Sequence, residues 1–385
     1  MTFLSLALIA AVALAGPLLA LPVRWRLPVV LGELLAGIVI GRTGLSLVDP
    51  GDPTFSLLAN MGFALMMFVA GSHVPLRDPQ IRSALGKGFR QAIAAAIAAA
   101  VIGTGMGWAF GTGHAPLYVV LLASSSAALV LPIVDSLRLG GPSVVAMTAQ
   151  VAIADIACIV ALPLAVDPPH AGRAALGALA VAACAAVLFF VLRSAERSGT
   201  RQRVHQLSED RKFALELRIQ LSLLFALAGV ATFGHVSVML AGFSFGLVVA
   251  AVGEPRRLAR QLFAVSDGFL GPIFIVWLGA SLNLRDLAGH PDMIALGLSL
   301  GTGTVLLHSG LRALGLPLPL GVLSAAQLGV PVAAASIGTQ LHVLLPGEDA
   351  ALLLGALVTI AAAAMAGSRA AKSFAQPVPA GHGKH

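Results

Sequence analysis

Charge is what this 385-residue chain has least of: only 11% of its residues are Asp, Glu, Lys or Arg, against 58% hydrophobic. A soluble domain carries about 25% charged residues, so a water-facing surface of ordinary size is excluded. Aromatic residues make up 5%, with a single tyrosine. The two cysteines, Cys158 and Cys184, both sit inside apolar runs, where each reads as a small core residue rather than half of a disulfide or a metal ligand. There is no C-x-x-C, no H-E-x-x-H and no P-loop. The Gly301–Gly303 stretch has no Lys-Ser/Thr after it, which removes phosphate cradling. No cofactor and no enzymatic chemistry are expected.

What the chain has is apolar length. Gly (42) and Pro (22) are frequent, as in membrane helices that pack closely or break. A bilayer core requires roughly 17–25 apolar residues per helix. By that measure the expected spans are 2–21, 27–46, 55–73, 88–110, 115–137, 142–166, 171–192, 217–234, 236–252, 259–283, 291–313, 318–345 and 349–368. An all-α polytopic membrane protein of about thirteen helices follows.

Basic residues test that count independently, because they collect in cytoplasmic loops. With the N-terminus outside and the C-terminus cytoplasmic, 21 of the 24 Lys and Arg fall on one side, leaving Arg42, Arg173 and Arg285 on the other. The net charge of +7 then reads as loops facing an anionic leaflet rather than a nucleic-acid surface, and a bacterial-type inner membrane is expected. The first run also resembles a signal-peptide core, but Met1-Thr2-Phe3 carries no basic residue. Residues 1–373 are expected to form one transmembrane domain. Its parts are a first repeat at 27–166, linking helices and a charged connector at 167–235, and a second repeat at 236–368. Residues 374–385 form a short tail expected to be disordered, and no soluble regulatory domain is expected.

The two five-helix repeats would start on opposite sides of the membrane, the inverted arrangement of many secondary transporters. Matching positions carry matching interruptions. Span 5 reads Ser124-Ser125-Ser126 followed by Pro132; span 12 reads Gln327-Leu328-Gly329-Val330-Pro331. Proline frees a helix carbonyl, and in lipid such groups must be satisfied by protein, water or an ion.

Few acids lie within the runs. A carboxylate at the bilayer centre costs roughly 2.5–3.5 kcal/mol on insertion scales and marks function by default. Asp155 stands at the middle of span 6 with no basic residue in its helix, and it is the expected ion- and proton-binding residue. Glu33 in span 2, Asp267 in span 10 and Asp135 near the end of span 5 are accessory candidates. Glu33 reads equally as a structural residue or a gate, Asp267 as an interhelical hydrogen-bonding partner, and Asp135 as an interfacial residue that shapes a cytoplasmic vestibule. His308 in span 11 reads as a core histidine or a relay, and His342 lies at the outer end of span 12.

These motifs converge on a family. Leu31-Gly-Glu-Leu-Leu-Ala-Gly-Ile-Val-Ile-Gly41 resembles a signature of monovalent cation:proton antiporters of the Kef/NapA type. Phe68-Val-Ala-Gly71, Ser124 to Pro132 and Gly271-Pro-Ile-Phe to Leu284 are similar to further family segments, in the right order over about residues 20–345. The resemblance implies an antiporter fold whose broken helices cross, a homodimer, and elevator-like alternating access. Asp155 matches the family's ion-binding aspartate. Ala154 and Thr304 stand where many members carry an acid or glutamine and a lysine, respectively. The expected function is exchange of Na⁺ or K⁺ for H⁺, with Asp155 and Ser124, Ser125 and Ser126 supplying oxygens. One cation per proton is the simplest stoichiometry. Other readings stay open: a sodium-coupled symporter of a small organic anion, a non-transporting membrane sensor, or a channel.

Overall fold

The structure is a computed structural model that describes residues 1–21, 29–72, 74, 79–199, 213–234, 236–253 and 256–375. Expectations for residues 22–28, for the centre of the charged connector and for the tail beyond 375 lie outside these. Among the described residues the chain is helical, with no strand beyond one isolated bridge between Leu139 and Ala375.

Among the described residues, eleven helices are long and apolar enough to cross a membrane. The runs expected at 27–46 and 236–252 form shorter apolar helices, Val29–Ile40 and Val238–Val252. In chain order we label these α1 (Phe3–Ala20), α2 (Val29–Ile40), α3 (Pro53–Ser72), α4 (Pro79–Ala109), α5 (Ala115–Ser136), α6 (Pro142–Val166), α7 (Ala171–Arg197) and α8 (Leu215–Phe233). They continue with α9 (Val238–Val252), α10 (Gln261–Ser281), α11 (Pro291–Gly310), α12 (Leu318–Gln340) and α13 (Glu348–Phe374).

The helices associate in two groups. In one, α2 packs on α10 and α9 packs on α3, while α3 and α10 meet at the centre. In the other, α4 packs on α5 and α6 just as α11 packs on α12 and α13, and α12 closes against α6. Lipid offers no hydrophobic drive for helix pairing, so close packing of small residues must supply it. Gly37 and Gly246 show how. A methyl on Gly37 would lie 2.3 Å from the Val276 carbonyl oxygen, and one on Gly246 would lie 2.2 Å from that of Phe68. Aromatic rings fill the space beside these contacts. Phe63 stacks on Phe274 with centroids 4.5 Å apart, and Phe68 meets Phe245 at 5.1 Å.

α10 departs from the expected continuous helix. Residues Ser266–Leu270 form a π-helical turn, which inserts an extra residue and turns Asp267 outward; such turns recur at functional positions. α5 and α12 are each interrupted, but not at their prolines as the sequence suggested. Pro132 sits inside the second half of α5, and Pro331 in the first turn of the second half of α12. In a first turn the missing N–H costs nothing, because no intrahelical acceptor exists there.

Candidate ion site at the helix crossing

α5 consists of Ala115–Ala123 and Ala127–Ser136, separated by extended backbone at Ser124 and Ser126. α12 consists of Leu318–Ser324 and Gly329–Gln340, separated by Ala325 to Leu328. Each break leaves carbonyls at one half-helix C-terminus and N–H groups at the next N-terminus, buried where water cannot satisfy them. The two breaks satisfy one another. Ser126 N–H donates to the Ala326 carbonyl (2.8 Å) and the Ser125 hydroxyl to the Ser324 carbonyl (2.7 Å). The Gln327 amide donates to the Leu121 and Ser124 carbonyls at 2.5 and 3.0 Å.

Asp155 completes the N-terminal side. Its side chain is 6% exposed, and Oδ2 accepts from the Ala127 N–H, the first of the second half of α5, at 2.8 Å. A helix N-terminus carries roughly half a positive charge, so a carboxylate is favoured there. At the opposite break a neutral residue takes the corresponding place. Thr359 of α13 accepts from the Gln327 N–H at 3.2 Å and donates to Ala356. Asp155 is thus the acid at this crossing, held by a dipole and one N–H, and its remaining oxygen lone pairs are available to a proton or a cation.

The sequence candidates separate into two places. Asp155, Ser124, Ser125, Ser126, Gln327 and Gly329 meet at the crossing. The Ser124 and Ser125 hydroxyls donate to backbone carbonyls, so any oxygens they lend an ion are lone pairs of those hydroxyls. His308 is buried, and its Nδ1 lies 3.2 Å from the Ser324 hydroxyl, on the rim of the same network. Thr304 donates to Leu300 of its own helix at 2.8 Å. His342 follows the end of α12, exposed and with φ at 56°.

Glu33, Asp135 and Asp267 come together elsewhere. They line one cavity of about 1170 Å³ between α2, α3 and α10 on one wall and the second half of α5 with the start of α6 on the other. Its floor includes Ala127, Leu328 and Pro132, so it reaches the residue whose N–H Asp155 holds.

Several site residues escaped the sequence reading. Thr359 and Ser324 are small hydroxyls in apolar runs, indistinguishable there from ordinary core residues. Gln150, fully buried with its Nε2 3.4 Å from the Ser125 hydroxyl, lies five residues before Asp155, and that proximity was the available signal. On the opposite face Glu348 is fully buried, taking bonds from Tyr118 (2.6 Å) and Leu345 N–H (2.9 Å) with His114 Nδ1 at 2.8 Å, and it clasps α5 to α13.

Gln327 is testable by itself. Truncation in Gln327→Ala leaves the Ser124 carbonyl without its donor and takes from the Leu121 carbonyl the shortest of its three hydrogen bonds, those from Ser124 remaining. Each unsatisfied buried group costs about 1–3 kcal/mol. A lower midpoint of thermal unfolding in detergent is the expected result, with partial recovery in Gln327→Asn if the shorter amide reaches one carbonyl.

Crossed, interrupted helices in a multi-pass membrane protein, with a carboxylate at the crossing, define a secondary transporter fold. The transmembrane family described as sodium/hydrogen exchanger matches residues 7–367. The chain therefore belongs to that family.

The chain is 25% identical over 378 residues to the putative Na⁺/H⁺ antiporter YjbQ of Bacillus subtilis, covering 92% of this chain and 61% of that protein. It is 24% identical over 360 residues to the probable Na⁺/H⁺ antiporter 3 of Methanocaldococcus jannaschii, covering 88% and 89%. Against the glutathione-regulated potassium-efflux protein KefC of an Enterobacter species it is 29% identical over 303 residues, covering 73% and 46%. The chain thus spans only part of the length of two of these three relatives. The solved structure of the M. jannaschii sodium proton antiporter MjNhaP1 aligns with a TM-score of 0.69 at 14% identity, over 98% of this chain and all of that one. This likeness shows the fold.

Proposed function

We propose that the protein exchanges a monovalent cation, Na⁺ or K⁺, for H⁺ across a bacterial plasma membrane, with Asp155 carrying either one. The observation that supports this most directly is the single buried carboxylate at the N-terminus of a broken helix. Among the described residues it accepts one hydrogen bond, from the Ala127 N–H, which leaves the rest of its oxygen lone pairs open to a proton or a cation. Hard monovalent cations take oxygen ligands, and the hydroxyls of Ser124 to Ser126 and the backbone around the break are the neutral oxygens at hand. One carboxylate suits one charge, hence one cation per proton.

The recurring pairing of helices supports an inverted repeat. In this reading α2, α3, α9 and α10 form a scaffold through which two copies dimerise. α4 to α6 and α11 to α13 move against it as the elevator, carrying Asp155 between the two faces. The cavity beside Ala127 corresponds in this proposal to the inward-open position, with the N-terminus outside and the C-terminus inside.

The test is dissipation of an imposed pH gradient in proteoliposomes. Addition of Na⁺ or K⁺ is expected to collapse the gradient, with one of the two effective at lower concentration. No response to Na⁺, K⁺ or Li⁺ would overturn the proposal.

A further inference from the structure

Exchange at Asp155 leaves one fully buried side chain of the crossing without a role. Gln150 lies on α6, five residues before Asp155, and is wholly enclosed. Its Nε2 lies 3.4 Å from the Ser125 hydroxyl, which donates its own proton to the Ser324 carbonyl at 2.7 Å. With that proton committed, Ser125 Oγ can only accept, so Nε2 and not Oε1 must face it. Oε1 is left with no donor among the described residues. α4 presses on α6 at this level: a methyl on Gly88 would come within 2.8 Å of the Gln150 backbone nitrogen and of Ala149 Cβ.

A buried amide oxygen without a donor costs stability, and an apolar side chain of similar length would avoid that cost. What the glutamine supplies is a second rung on the break. Ser124 to Ser126 is a linker between two half-helices, with extended backbone at both its ends. α6 grips this stretch at two points two residues apart. Asp155 Oδ2 accepts from Ala127 N–H at 2.8 Å, and the Gln150 amide donates to Ser125 Oγ. Through Ser125 the grip continues to Ser324, the last residue of the first half of α12, so α6, α5 and α12 are tied in one line.

We propose that Gln150 is a positioning residue for the cation, acting through Ser125 to hold the broken stretch of α5 in place beside Asp155. One rung leaves an extended segment free to pivot about Ala127, and two fix it. A binding site works only while its ligands are held to within about 0.5 Å, so the serine and backbone oxygens of the break must keep their distance from the carboxylate. This role deepens the proposed exchange and rests on its assignment of the cation to Asp155.

Cation binding to the purified full-length protein in detergent tests this. It is read as the rise in the midpoint of thermal unfolding with Na⁺ or K⁺ concentration, with choline as the ionic-strength control. Asp155→Asn should remove the rise, which ties the signal to this site. Gln150→Met and Gln150→Leu keep the bulk and drop the amide, and they orphan nothing, because Ser125 still donates to Ser324. Without cation both are expected to unfold at or above the midpoint of the parent protein. Their half-saturating cation concentration is expected to rise about three- to tenfold, the worth of one hydrogen bond. In a Ser125→Ala background the same substitutions should add no further weakening. Unchanged half-saturation in the Gln150 variants, midpoints far below the parent's, or an equal further loss in the Ser125→Ala background would overturn the role. So would a midpoint that no cation raises in the parent, or a rise that persists in full in Asp155→Asn. If the exchange proposal alone fails, the proteoliposomes will not respond to cation, yet the Gln150 variants will still bind it more weakly than the parent.

Discussion

Asp155→Asn is expected to yield a folded protein in which cation-driven proton movement falls to the level of empty liposomes. Asparagine keeps a carbonyl oxygen where Oδ2 now accepts from Ala127 N–H at 2.8 Å, so the N-terminus of the half-helix stays capped. What disappears is the charge, and with it both the proton and the cation. Asp155→Ala removes the cap as well. A buried N–H left unpaired costs about 1–3 kcal/mol, so the alanine variant should unfold at lower temperature than the asparagine variant while being equally inactive. Gradient dissipation and detergent thermal unfolding, measured side by side, separate the two roles. Full exchange by Asp155→Asn would remove Asp155 from the mechanism.

The second large effect concerns the helix pairs. Gly37→Ala and Gly246→Ala each place a methyl within 2.2–2.3 Å of a neighbouring backbone carbonyl oxygen. Neither carbonyl can turn away without breaking its own helix, so the pairs must separate. Overpacking of this kind costs about 1–3 kcal/mol. The two glycines meet different neighbours, Val276 and Phe68, so the double variant should lose roughly the sum. Gly105→Ala is the control. Nothing lies within 4 Å of a methyl there, and alanine is the better helix former by about 1 kcal/mol. Thermal unfolding in detergent should place Gly105→Ala at or above the parent protein and the other two clearly below it. Equal midpoints for all three would mean that the close approach does not hold the helices together.

The helix positions were legible because lipid imposes a length on every apolar run and loops collect the basic residues. Asp155 was legible for the same reason, since an unpaired acid stands out in an apolar run of that length. The interruptions were located to within a few residues, but their cause was misassigned to Pro132 and Pro331. Proline is conspicuous in a sequence, whereas the serine run, singled out beside it, shows that it is the break itself only when the facing backbone of α12 is known. Thr359 was not legible at all, for its importance lies in what it faces, and Gln150 offered only its nearness to Asp155.

The sequence by itself determined the solvent of this protein, the approximate course of its helices and the presence of an acid, Asp155, deep in an apolar run, because each follows from local composition and the cost of burying polar groups. Only the tertiary structure decided that the two breaks satisfy each other's backbone and that Asp155 caps one of them. It also decided that Glu33, Asp135 and Asp267, more than 200 residues apart at the extremes, share one cavity. Those are contacts between helices distant in sequence, and no local pattern encodes which carbonyl a buried amide will meet.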